Sequence, residues 1–178
     1  MLSSNVRLIL CVVMCAPLLG PSSLWLDVPF VAQPENACGA ACIAMVMSYW
    51  SARDGAPALA APDPGELYAR LRRKDAKGLQ AAEVQRYLEQ QGFRAIAFAG
   101  DWGMLRDHLS KGRPLIAALR TKASVSLAHY VVVVGLDEGR DRVLVNDPAR
   151  RKLSEEPRAD FERRWALSGK WTLLAVPR

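Results

Sequence analysis

The chain has 178 residues, 51% of them hydrophobic and 24% charged, the usage of an ordinary globular domain with enough apolar mass for one core. Its net charge of +6 is mild, its basic clusters at residues 70–77 and 150–152 are interspersed with acids, and no nucleic-acid motif accompanies them, so a solvated surface is expected rather than a polyanion site. No Gly-rich phosphate loop and no paired Cys/His metal spacing occurs, so no cofactor and no metal is expected.

The N-terminus differs in kind. Arg7 precedes an uncharged apolar run over residues 8–19, closed by Gly20, Pro21, Ser22 and Ser23. Crossing a bilayer takes about 20 apolar residues, and this shorter run has the three-part shape of a secretory signal. Residues 1–23 are therefore expected to be a signal peptide or, if uncleaved, an N-terminal membrane anchor, and residues 24–178 a single domain. Without Arg7 the charge is six less one, +5, and the remaining cysteines are Cys38 and Cys42. Four apart on one helix, these two are poorly placed for a disulfide. An exported protein without structural disulfides fits a bacterial periplasm or outer surface.

In chain order, residues 24–28 alternate like a short strand and stop at Pro29. A loop over residues 31–37 carries Gln33 to a helix that starts at Cys38, along which Cys38, Cys42, Met45, Val46 and Tyr49 form one apolar stripe. Residues 51–64 read as a surface loop, Asp63 and Pro64 open a second helix, and Gly78 separates it from a third over residues 79–91. Strand 93–99, helix 102–110 and strand 114–119 follow, then a polar loop to residue 127. His129 enters a run of consecutive valines that describes a strand covered on both faces, and residues 142–146 return as its hairpin partner. A basic helix around residues 161–165 and a strand over 171–176 complete an α+β arrangement, N-terminal helices packed on a C-terminal antiparallel sheet.

Four residues carry the chemistry. At a helix start, the unpaired amides and dipole favour a thiolate at Cys38, a condition for nucleophilic acyl chemistry. Gly39 is expected to leave that sulfur uncrowded. Taken alone, Cys38 is as readily a small core residue, and Cys42 is read as one. A thiol needs a base, and the chain has two histidines. His108 lies inside a helix, whereas His129 sits at the mouth of a buried strand, one side dry and one open, and is preferred. The hairpin returns Asp147 towards the His129 end, where it can accept the other ring N–H, with Asn146 as the alternative because neighbours on a strand face opposite ways. Gln33 has the side-chain amide to join the Cys38 backbone N–H in binding an oxyanion.

With these residues the chain resembles the papain-like double-glycine leader peptidases, family thirty-nine of the cysteine peptidases. The resemblance rests on residues 27–30 with Gln33, on Ala37-Cys38-Gly39-Ala40-Ala41, on His129-Tyr130-Val131-Val132-Val133 with Gly135, and on Asn146-Asp147-Pro148-Ala149. It implies a papain-like fold with Gln33 in the oxyanion hole, Cys38 as nucleophile, His129 as general base and acid, and Asp147 orienting it. The sequence carries no transporter or nucleotide-binding segment, and its five-residue step from Gln33 to Cys38 is similar to stand-alone exported members. The expectation is a monomeric exported cysteine peptidase acting on a peptide or protein, periplasmic, secreted or membrane-anchored, with a small-residue, Gly-Gly-like cleavage motif. The competing readings are a catalytically idle domain that binds a peptide or protein partner, and a thioester-forming acyl transferase or amidase.

Overall fold

Start signals written in the sequence place most of the helices. The computed structural model describes residues 23–53, 60–74, 76–121 and 128–178. Its elements run β1 (Ser23–Trp25), α1 (Cys38–Ser51), α2 (Pro64–Leu71), α3 (Ala81–Gln90), β2 (Phe93–Ala99), α4 (Trp102–Ser110), β3 (Leu115–Leu119), β4 (His129–Asp137), β5 (Arg142–Asp147), β6 (Arg151–Pro157), α5 (Arg158–Ala166) and β7 (Trp171–Pro177). The expected signal segment up to residue 22, with Cys11 and Cys15, lies outside the described residues, as do residues 54–59 and 122–127 of two expected loops. The Asp63 carboxylate accepts the Glu66 N–H at 2.9 Å to cap α2, and Asp101 accepts the Met104 N–H at 2.8 Å to cap α4. Gln80 and Glu83 form a reciprocal cap that starts α3 at Ala81, two residues later than the pattern suggests.

The strands form one antiparallel sheet in the order β2-β7-β3-β4-β5-β6. Because β5 follows one edge of β4 and β3 covers His129 to Val133 on the other, β1 continues that second edge opposite Gly135 to Asp137. Alternation along β4 divides its side chains between two cores. Tyr130, Val132 and Val134 pack with α1, α2 and α3, while Val131 and Val133 pack with α4 and α5. A bulge between Val133 and Gly135 shifts the phase, so Leu136 joins the second core. The unbroken apolar run is thus the mark of a strand with no wet face. Helices on an antiparallel sheet are as the sequence suggested, with α4 and α5 forming an additional layer on the far side.

Helix α1 is the centre of the first core. Residues 38 to 47 of it are all buried, so the expected apolar stripe is one side of a helix enclosed nearly all round. Truncating Ile43 or Met45 to alanine in such surroundings costs about 2–5 kcal/mol. Among the described residues, no helix is long and apolar enough to cross a membrane.

The polar strand β6 has no sequence signature, since its residues read as charged surface. It is an edge strand held by β5, and it opposes the single residue Asn146 with two, Lys152 and Leu153. Leu153 adopts the left-handed region at φ 51, a conformation that costs a non-glycine residue on the order of 1–3 kcal/mol and persists when its surroundings hold it there. β1 stops at Trp25, short of the expected five residues, although the Leu26 N–H still donates to the Val134 carbonyl at 2.8 Å.

Gly135 marks the closest approach of β1 to the sheet, where an added Cβ would stand 2.5 Å from the Leu24 carbonyl oxygen and 2.7 Å from Trp25 Cβ. Replacement by alanine has to push β1 away, so Gly135→Ala is expected to lose about 1–3 kcal/mol in urea unfolding. An unchanged midpoint would mean that β1 contributes little to the folded state.

Candidate active site

The start of α1 lacks the caps found on α2 and α4. A turn with Asn36 in the left-handed region, φ 62, delivers the chain to Ala37, which offers no side-chain cap, and no acidic residue lies in the first turn. The Ala37 N–H donates to the Pro34 carbonyl at 3.1 Å, and the first intrahelical bond is Ala41 N–H to the Ala37 carbonyl at 2.9 Å. The amides of Cys38, Gly39 and Ala40 therefore precede that bond and have no partner within the helix. A bare positive end of this kind is where a helix can receive developing negative charge. Cys38 is 7% exposed, a sulfur at the lip of the core.

Gly39 has a packing role as well. A Cβ there would meet Leu79 and Val84 at 3.3 Å and the Tyr130 ring at 3.4 Å, so glycine lets α1 sit close to α3 and β4. It sets the packing of α1 against α3 and β4.

The β4–β5 register pairs Val132 with Asn146 and so carries Asp147 towards the His129 end. His129 Nε2 lies 2.7 Å from Asp147 Oδ1. Asp147 Oδ1 also accepts the Ala149 N–H at 3.0 Å, and Arg150 Nε stands 3.6 Å from Oδ2. Burial alone would raise the Asp147 carboxyl, but the His129 bond and charge, the Ala149 amide and the Arg150 charge hold it below the usual range. Asp147 is thus the acceptor and the ring N–H the donor. Turn chemistry at Asp147 and a bond to histidine are therefore not alternatives, because one carboxylate does both.

The Cys38 sulfur lies within interaction range of the same ring. With Nε2 occupied by Asp147, Nδ1 is the nitrogen left to face it. Burial by itself depresses the imidazole, yet the bond to Asp147, the interaction with Cys38 and the negative charge of both raise His129 to about 9. Cys42 sits one turn deeper with no exposure, and burial first, then the charges of Cys38 and Asp147, push its thiol well above the ordinary value. It stays neutral, as a structural cysteine should. Both thiols are free. His108 is half-buried on α4, whose apolar side belongs to the core on the far face of the sheet, which keeps it from Cys38.

The structure thus brings Cys38, His129 and Asp147 together and holds the fourth expected residue nearby. The Gln33 N–H donates to the Pro148 carbonyl at 3.0 Å, which fastens its loop to the residue after Asp147. Gln33 Oε1 is buried without a hydrogen-bond partner; an orphan of this kind costs about 1–3 kcal/mol and calls for a functional explanation. Asn146 is not the partner of His129; its side chain bonds Val28 and Leu153 instead. Among the described residues no group of three or more His, Cys, Asp or Glu side chains is assembled that could hold a metal ion. Sequence reasoning missed Arg150 and the Ala149 amide, although an Asp two residues before a free N–H is a recognisable turn signal.

Residues 25–172 match the sequence profile of the family described as Peptidase C39 like. The chain belongs to that family. It is accordingly a C39-like cysteine peptidase domain in sequence and fold. Solved structures agree in architecture. A C39-like peptidase from Bacillus anthracis superposes with a TM-score of 0.68 at 18% identity, covering 88% of this chain and 98% of that one. The peptidase domain of Streptococcus ComA, a bifunctional ABC transporter of a quorum-sensing pathway, gives 0.66 at 19% identity over 85% of this chain and 100% of that one. A double glycine motif protease from an AMS/PCAT transporter, in complex with leader peptide, gives 0.60 at 20% identity over 86% and 94%. No curated protein matches the chain in sequence.

These charge states fix a pH dependence of stability. His129 is raised from 6.5 to about 9, so the stability it contributes is fully present below 6.5 and is lost as pH rises through about 9. Asp147 is lowered, so its contribution is present above 3.8 and is lost as pH falls through its depressed value. The urea midpoint of wild type should therefore exceed that of Asp147→Asn most near about pH 6, with the gap closing towards about pH 10. A gap that stays constant over this range would refute the coupling.

Proposed function

We propose that this protein is an exported thiol peptidase that cuts peptide bonds through Cys38, His129 and Asp147. The observation that carries the reading is one imidazole shared between the Asp147 carboxylate, at 2.7 Å, and the sulfur at the bare end of α1. The Cys38 thiolate attacks the peptide carbonyl carbon, and the negative charge moves onto the carbonyl oxygen. The Cys38 amide and the Gln33 side-chain amide receive that oxyanion. His129 passes its Nδ1 proton to the leaving amine as the C–N bond breaks, leaving a thioester. Neutral His129 then takes a proton from water, whose oxygen attacks the thioester carbon and releases the acid product. The thiolate and imidazolium are restored, and Asp147 keeps the ring oriented throughout.

The substrate is a peptide cut after a pair of small residues of the Gly-Gly type. Supporting this is the family membership of residues 25–172 and the relative named as a double glycine motif protease and crystallised with a leader peptide. The place of action is the periplasm or cell surface of a bacterium, with residues 1–23 as signal or anchor. Arg7 and the apolar run after it support export.

Purified protein incubated with a peptide mixture should yield cut sites that disappear in Cys38→Ala. Iodoacetamide should alkylate Cys38 quickly and Cys42 slowly, with the Cys38 rate falling in His129→Ala and holding in His108→Ala. The alkaline limb of kcat/KM should lie at about 9, where the imidazolium is lost. Gln33→Ala should lower kcat by about 100- to 1000-fold. Cleavage that survives Cys38→Ala would overturn the proposal. Rapid labelling with no cut peptide would point to acyl transfer, and equally slow labelling of both thiols to a binding domain.

A further inference from the structure

Four polar or charged side chains are buried among the described residues, Asp137, Asn146, Asp147 and Thr172. Asp137 and Thr172 serve their own turns, through Arg140 and the Lys170 carbonyl, and Asp147 holds His129. Asn146 does something different. It has no exposure, its Nδ2 donates to the Val28 carbonyl at 3.0 Å, and its Oδ1 accepts the Leu153 N–H at 3.0 Å.

Both partners bear on the active site. Val28 lies in the arm that leads to Gln33, and five residues further on the Gln33 N–H meets the Pro148 carbonyl. Leu153 is the left-handed residue of the β6 bulge, and its bulge neighbour Lys152 pairs with Asp27 of the arm at 2.6 Å. Three consecutive residues thus hold three parts of the site in place. The Asn146 side chain takes the arm, the Asp147 side chain takes the imidazole, and the Pro148 carbonyl takes Gln33. Strand alternation is what lets neighbours face opposite ways.

We infer that Asn146 is a positioning residue for the oxyanion-binding loop: by clamping Val28 to the β6 bulge it fixes Gln33 against Cys38 without touching the reacting atoms. The inference rests on the reading of Gln33 as an oxyanion donor. It predicts a split between two reactions of one thiol. Acylation by an ester adds sulfur to a carbonyl and creates an oxyanion, whereas alkylation by iodoacetamide displaces iodide and creates none.

Asn146→Asp keeps the acceptor for Leu153 but sets an oxygen against the Val28 carbonyl, so it releases the arm. Acylation by p-nitrophenyl acetate should fall by at least about tenfold. The rate of Cys38 alkylation near neutral pH should stay within about twofold, since His129 and Asp147 keep their bond, and Asn146→Ser, which adds no charge beside Asp147, should also keep the pH profile. The variant combining Gln33→Ala with Asn146→Asp should acylate no more slowly than Gln33→Ala alone, because the two substitutions remove the same interaction. If Asn146→Asp does not fold, Asn146→Ser, neutral and too short for either bond, gives the same readouts. Acylation and alkylation falling in parallel, acylation left unchanged, or losses that multiply in the double variant would each overturn the inference. A Gln33→Ala variant with normal acylation would instead remove the oxyanion reading on which it rests.

Discussion

The hydrogen bond from His129 to Asp147 is the constraint on which the rest of the site depends. It exists because β4 and β5 are paired in one register, with Val132 opposite Asn146. A slip of one residue would present Asn146 to the imidazole and turn Asp147 to the other face. The register is protected by what lies on both sides of the sheet: Tyr130, Val132 and Val134 are locked under α1 to α3, and Val131 and Val133 under α4 and α5. A slip would move both buried sets at once, and the geometry of the site inherits that cost.

Charge is arranged around this bond with little redundancy. The Asp147 carboxylate and the Cys38 sulfur flank one imidazole, and each group is partly out of water, which would be unfavourable for a charge standing alone. Arg150 and the Ala149 amide support Asp147, and the uncapped first turn of α1 supports the sulfur. The absence of an acidic cap on α1 is therefore meaningful. Had a Ser or Asp stood at Ala37, as Asp63 and Asp101 stand before α2 and α4, it would occupy amides that are left open beside Cys38. Cys42 completes the contrast: the same chemical group one turn along has no such surroundings and remains a packed thiol.

The loop carrying Gln33 is fastened to the β5–β6 hairpin. Lys152, Asn146 and Pro148 hold Asp27, Val28 and Gln33 in sequence, like a row of stitches between an arm and an edge strand. The left-handed Leu153 is the local strain that this attachment holds in place. The Gln33 side-chain oxygen in the same neighbourhood is buried without a hydrogen-bond partner.

Much of the fold and most of the site could be read from residue order. The cap at Asp63, the bounds of α4 and β2, the doubly covered strand after His129 and the family-like blocks around Cys38 and Asp147 are local signals, written in neighbouring residues. β6 was invisible because an edge strand of charged residues is specified by its partner's backbone and not by its own side chains. The reason for Gly39, the choice of Asp147 over Asn146 at the imidazole and the clamp from Asn146 to Val28 were likewise undecidable in one dimension. Each depends on which face a residue presents to a segment up to 118 positions away, and only pairing register and packing fix that.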